Sequence, residues 1–299
     1  MGNRQLDARS PADGRTQWRV GWDEDEFDEW GCLQRDLGIG DDLVYVAGCD
    51  GLRGLSRADG EREWITSMSL RSGVAVGPDR VYANGRDLIA VDPGSGEVDW
   101  RAPTIGARLT RPAVGRGTVV HTDRVDGVVT AFDTDGAQVW QHHTGTETRS
   151  PTVADDTVYV ATADDPGRTG ELLALDRRDG NVRWRADTTG TVKRGTRPVV
   201  GDERVFLGCN GTDAGRMIAV DKRDGTERWT FTDGNTTVYE PALADDSVYA
   251  GSNDNRVYAL GRDGRLRWEF ETDRTVGSVV AGDDLVFASS GALFALVRE

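Results

Sequence analysis

The chain has 299 residues, 37% of them hydrophobic and 29% charged, with 51 acidic against 36 basic side chains and a formal net charge of −15. No stretch approaches the ~20 apolar residues that a membrane helix needs, and no basic stripe of the kind that grips nucleic acid runs through the acid. Neither a transmembrane segment nor a nucleic-acid partner is expected. Three cysteines, Cys32, Cys49 and Cys209, are too few and too widely spaced for a disulfide framework or a zinc ligand set.

In chain order, the first readable unit is LDARSPADGRTQW, Leu6 to Trp18, a strand, a Gly/Asp turn and a second strand. Next comes an acidic insertion, WDEDEFDEW, Trp22 to Trp30. Its Asp23, Asp25 and Asp28 lack the glycine-containing spacing of a calcium loop, so it reads as a solvated acidic loop. After it a pattern recurs. A β-rich triplet appears at Val44, Val81, Val119, Val158, Val205, Val248 and Val286. An apolar strand ending in Asp follows, as in LIAVD (Leu88 to Asp92), VTAFD (Val129 to Asp133), LLALD (Leu172 to Asp176) and MIAVD (Met217 to Asp221). A Trp then stands four residues after a Gly, at Trp18, Trp64, Trp100, Trp140, Trp184, Trp229 and Trp268, spaced 46, 36, 40, 44, 45 and 39 residues apart. Short runs such as RPAV, SPTV, RPVV and EPAL open the units. Asp164 to Gly170 and Asn210 to Gly215 read as loop insertions, and the Asn210 and Asn235 sequons carry weight only in an exported protein.

Each unit is four short β-branched and aromatic strands separated by Gly/Asp turns, with no helical apolar spacing. A four-stranded unit repeating every ~40 residues cannot bury both of its faces alone, so the expected architecture is an all-β propeller of four-stranded antiparallel blades. The recurrent Trp would wedge between neighbouring blades as structural docking. A single domain over 1–299 is expected, monomeric, with seven blades closed across the termini. Eight is the alternative, because Gln5–Ala8 and Leu293–Leu296 both read as a third strand.

The segments ALDRRDGNVRW (Ala174 to Trp184) and AVDKRDGTERW (Ala219 to Trp229) resemble the tryptophan-docking motif of the PQQ-like β-propeller repeat family. That family includes quinoprotein alcohol dehydrogenases and the propeller lipoprotein of outer-membrane protein assembly. The composition, rich in Asp and holding only two lysines, Lys193 and Lys222, resembles that of proteins from salt-loving archaea, in which short carboxylates keep the surface solvated. The dehydrogenase branch implies PQQ, a calcium ion, a catalytic Asp and a disulfide between adjacent cysteines. This chain has no adjacent cysteine pair, so no cofactor, no metal and no catalytic residue is assigned, and PQQ with calcium stands as the alternative. The assembly-factor branch implies a non-catalytic scaffold.

A propeller site is expected at the channel mouth, where loops enter each first strand. These entry loops carry Arg71, Arg111, Arg149, Lys193, Arg197 and Glu240, an arginine-rich set in an acidic chain. Arg111, Arg197 and Glu240 each directly precede a proline, with Arg149 one residue earlier. Two readings stay open: a ring that holds a protein, peptide or small anionic ligand through forked arginine contacts, and a set of ion pairs that staples neighbouring blades. The segment Gly2 to Asp7 has no signal-peptide core, which points to the cytoplasm. An upstream native start would point instead to an extracellular or anchored protein.

Overall fold

The computed structural model describes residues 5–10, 13–21, 33–48, 50–70, 72–104, 109–163, 170–188, 196–209, 215–232, 238–282, 285–290 and 293–297. The acidic insertion Trp22 to Trp30, most of the two loop insertions and both sequon asparagines lie outside them. All regular elements among the described residues are β-strands, and no helix among them is long and apolar enough to cross a membrane. The chain divides into two compact units, Met1–Gln141 and His142–Glu299.

In the first unit, Gln5–Arg9 pairs antiparallel with Thr16–Gly21, and complete four-stranded sheets follow over 33–67 and 74–103. A third, over 113–143, has its last strand, Gln138–His143, ending just past the division. The second unit holds four-stranded sheets over 152–187, 199–232 and 242–271, then three strands over 278–297. Each full sheet runs in simple chain order, so every connection within it is a hairpin. Gln5–Arg9 and Leu293–Val297 both take the third-strand place beside their partners.

The strands form where Val, Leu, Ile and Tyr alternate with small residues, and they stop where Asp and Gly take over. In the third-to-fourth-strand hairpin of the 152–187 sheet, the Asp176 carboxylate accepts from the Arg178 N–H (2.8 Å), while the Gly180 N–H donates to the Asp176 carbonyl (2.9 Å). This Asx turn closes the hairpin locally. The bond from Arg178 is the main reason the Asp176 carboxyl lies below the usual carboxylate range.

Hydrophobic burial lies between sheets. Tyr45, Leu52 and Trp64 pack with Val74, Val81 and Ile89 across the first two full sheets. In the second unit Tyr159, Leu172 and Trp184 pack with Val205 and Val220 of the next sheet. Within each unit, neighbouring sheets thus stack face to face and share a core. The tryptophans span these seams. Each indole N–H donates to a backbone carbonyl of the next sheet: Trp18 to Arg57 (2.8 Å), Trp64 to Pro93 (3.0 Å), Trp100 to Thr134 (2.7 Å), Trp184 to Lys222 (3.1 Å) and Trp229 to Arg262 (2.8 Å). Within its own sheet each Trp stands opposite a small residue, Gly54 for Trp64, Ala174 for Trp184 and Ala219 for Trp229. Trp140 is buried, and Trp268 packs on Tyr249 with ring centroids 5.8 Å apart.

Candidate functional site

Antiparallel hairpins place the entry loops and the second-to-third-strand loops at one end of each sheet, and the other two turns at the opposite end. The entry loops are pinned at that first end. Leu109 bridges to Asp123, Thr148 to Thr162 and Val238 to Ser252. The next residue then donates its N–H to the second strand: Thr110 to Thr122, Arg149 to Ala161 and Tyr239 to Gly251, at 3.0, 2.9 and 2.9 Å. This register makes Thr110, Arg149 and Tyr239 equivalent, and places Arg111 and Glu240 at the following position, each just before its proline.

In the first unit, Arg111 is partly buried and its Nε donates to the Val74 carbonyl of the preceding sheet (2.8 Å). Beside it the Asn84 side chain donates to the Thr110 carbonyl (2.7 Å), and Thr110 and Thr122 share a hydroxyl contact (2.8 Å). The guanidinium is therefore held by its neighbours rather than free to sweep. In the second unit, Arg149 is only 5% exposed and reaches Glu147 at 3.2 Å. Arg197 Nε donates to Glu240 Oε1 at 2.7 Å, an ion pair joining two adjacent sheets with about a third of each side chain exposed. Arg71 and Lys193 lie outside the described residues.

Two neighbours were not readable as site residues. Glu147 gives Arg149 its partner, yet sits in an ordinary polar loop. Asp123 is buried and its carboxylate accepts from the N–H groups of Val125 and Asp126 (2.9 and 2.8 Å). At the same end of the 33–67 sheet, Arg53 is buried on its third strand and holds Asp50 through both nitrogens of its fork, one contact at 2.9 Å. A charged residue at a position filled by Ile89, Leu173 and Ile218 in other units was the available signal.

In the second unit Arg197, about a third exposed, stands beside the Glu240 carboxylate at a surface open to solvent, with Arg149 buried against Glu147. Such a surface recognises carboxylate or phosphate by forked hydrogen bonds. Among the described residues no three His, Cys, Asp or Glu side chains converge to hold a metal ion.

Face-to-face four-stranded sheets, tied by tryptophans that reach the next sheet, define a β-propeller built from sequence repeats. The chain belongs to the PQQ-repeat family described as outer membrane protein assembly factor BamB, whose model matches residues 50–194 and again 168–299. No curated protein matches it. Among solved structures it is similar to BamB from Moraxella catarrhalis, at 19% identity and a TM-score of 0.71, over 93% of this chain and 86% of that one. It is also similar to the quinohemoprotein alcohol dehydrogenase from Comamonas testosteroni, at 14% identity and a TM-score of 0.75, over 96% of this chain and 67% of that one. The computationally designed Ika8 protein aligns at 13% identity and a TM-score of 0.62, over 89% and 96%. At these identities the likeness is one of fold.

Proposed function

We propose that the chain is a non-catalytic binding module whose entry-loop end holds a protein partner or an anionic ligand. Membership in the BamB family supports the scaffold class. The observation that carries the site is the Arg197–Glu240 pair at 2.7 Å, half open to solvent, at the position that Arg111 occupies in the first unit. In the second unit Arg149 and Arg197 supply the cationic contacts and Glu240 orients Arg197; Arg111 stands at the corresponding place in the first unit, and Arg71 and Lys193 belong to the same class of loop in the sequence. An exposed pair of this kind adds at most ~1 kcal/mol to stability, so it is a weak staple and a good candidate for exchange with a ligand carboxylate.

The experiment separates the two roles by a charge swap. Arg197→Glu alone breaks the pair, and Arg197→Glu with Glu240→Arg restores it with the opposite polarity. The probes are inorganic phosphate and a hexaglutamate peptide. The expected result is that the swap recovers the melting temperature of the parent but not its affinity for either probe. Recovery of both, or unchanged affinity in the single variant, leaves the pair as a staple and sinks the reading.

The quinoprotein reading rests on a fold-level likeness.

A further inference from the structure

At the end of the sheets opposite the entry loops, the 152–187 and 199–232 sheets part around a cleft of about 350 Å³. Its walls are the two first-to-second-strand turns, Asp155–Asp156 on one sheet and Asp202–Glu203 on the other, its floor is the buried rings of Tyr159 and Trp184, and Arg183, Lys222 and Arg223 complete the lining. Asp156 is paired with Arg177 at 3.1 Å and Asp155 with Lys222. The carboxylates of the facing turn, Asp202 and Glu203, over an aromatic floor are the chemistry that recognises an ammonium or guanidinium group, through charge-assisted hydrogen bonds and the ring's negative face.

Two further observations point to a cation. The Tyr159 side chain is fully buried, lines this cleft, and its hydroxyl has no hydrogen-bond partner among the described residues. The protein also seats its own cations along this groove. Lys222 Nζ lies 2.6 Å from Asp155 Oδ2 and 3.4 Å from the Gly201 carbonyl. One sheet further on, Arg262 lies over the Phe206 ring, 5.5 Å from its centroid, and donates to the Asp245 carbonyl at 3.1 and 2.6 Å. The corresponding cleft of the first unit, about 370 Å³, has Arg116 and Gly117 where the second unit has Asp202 and Glu203, and Thr134 where it has Lys222. Its Arg80 is tied to Asp99 at 2.7 Å. Of these two clefts, the acid-walled one is in the second unit.

We propose that the Asp155–Asp156/Asp202–Glu203 cleft docks an arginine or lysine side chain of a partner polypeptide, which competes with Lys222 for Asp155 and reaches the Tyr159 hydroxyl. The walls are short surface turns that leave the mouth open, so a side chain enters end-on while its backbone stays outside. The proposal extends the partner-binding reading to a second surface and is independent of the entry-loop residues.

The test is the binding of a labelled hexa-arginine peptide to the full chain at about 0.15 M ionic strength, where the screening length is ~8 Å. Asp202→Asn with Glu203→Gln is compared with Asp59→Asn with Glu61→Gln, the same charge change on an exposed turn of the first unit. The expected result is a loss of about tenfold for the cleft pair, the size of one charge-assisted contact, against less than about twofold for the control pair. Lys222→Met removes one cation from Asp155 and tightens binding, whereas Arg265→Met, an equal charge change at an exposed site, does not. The Arg197→Glu with Glu240→Arg swap binds the peptide as the parent does, so failure here and failure at the entry loops are told apart. Equal losses in the two acid pairs would assign the binding to bulk charge and overturn the proposal. No saturable binding by the parent, or displacement by spermine at the same charge concentration, would overturn it too.

Discussion

His121 shows how much a single side chain can couple this fold to pH. It stands on the second strand of the 113–143 sheet, only 1% exposed, with its ring stacked on Phe132 at 5.7 Å. Neither ring nitrogen has a hydrogen-bond partner among the described residues. Burial pushes its pKa down to about 4 from 6.5, against a smaller opposing pull from Asp123. Because the folded pKa lies below the unfolded one, the unfolded chain takes up the proton first as pH falls. The fold therefore keeps its full stability above about pH 6.5 and loses it progressively down to pH 4, by on the order of 3 kcal/mol. The expected outcome is that His121→Phe removes this part of the loss in urea midpoints measured from pH 7 to pH 4. A parallel pH profile in parent and variant would show that His121 is not the group responsible. His142, whose pKa burial also lowers, adds to the loss below pH 6.5, and further acid sensitivity at lower pH belongs to carboxylates such as Asp246, held at about 2 chiefly by its hydrogen bonds from Arg267.

At the scale of the element, the repeat works as a latch between one sheet's tryptophan and the next sheet's hairpin glycine. Gly225 has a φ of +75°, and a Cβ added there would sit 2.5 Å from the Trp184 ring. Gly117, in a first-to-second-strand turn, has nearly the same φ of +74° but no atom within 4 Å of an added Cβ. Alanine at Gly117 then bears only the left-handed backbone cost, ~1–2 kcal/mol, whereas alanine at Gly225 adds ~1–3 kcal/mol of overpacking against the indole. Urea unfolding of Gly225→Ala and Gly117→Ala measures the difference, and equal losses would refute the latch. This latch was half legible in the sequence. The Gly-to-Trp interval marks a hairpin, since glycine supplies the positive φ, and the seven copies mark a repeat. The packing of each Trp between neighbouring units was legible as well; that the glycine it covers belongs to the following unit, some 40 residues on, came from the structure. The Arg197–Glu240 pair was hidden: sequence places both residues before a proline but gives no distance between them.

At the scale of the molecule, the fold is shared with BamB and with a quinohemoprotein alcohol dehydrogenase, and one titration distinguishes a scaffold from a quinoprotein. The expected outcome of adding PQQ with calcium, in molar KCl, is no saturable quenching of the nine tryptophans and no change in Tm. A ligand at about 100 times its Kd would add ~2.7 kcal/mol and raise Tm by several degrees. Saturable quenching with such a rise would restore the dehydrogenase reading. The net charge of −15 enters here as well. At low salt it draws any cationic probe, so site-specific binding is read only against charge-matched variants.

The sequence alone determined the fold class, because strand, turn and Trp recur at a spacing that only stacked four-stranded sheets can bury. It also named entry-loop arginines, because Arg111 and Arg197 directly precede a proline and Arg149 stands one residue earlier. The tertiary structure decided which of them have partners within reach: Arg197 meets Glu240 and Arg111 meets the Val74 carbonyl only because successive sheets lie face to face. It likewise gathered Asp155, Asp156, Asp202, Glu203 and Lys222 around one cleft. Those residues are separated by tens of positions in the chain, and their common surface exists only once two sheets have packed.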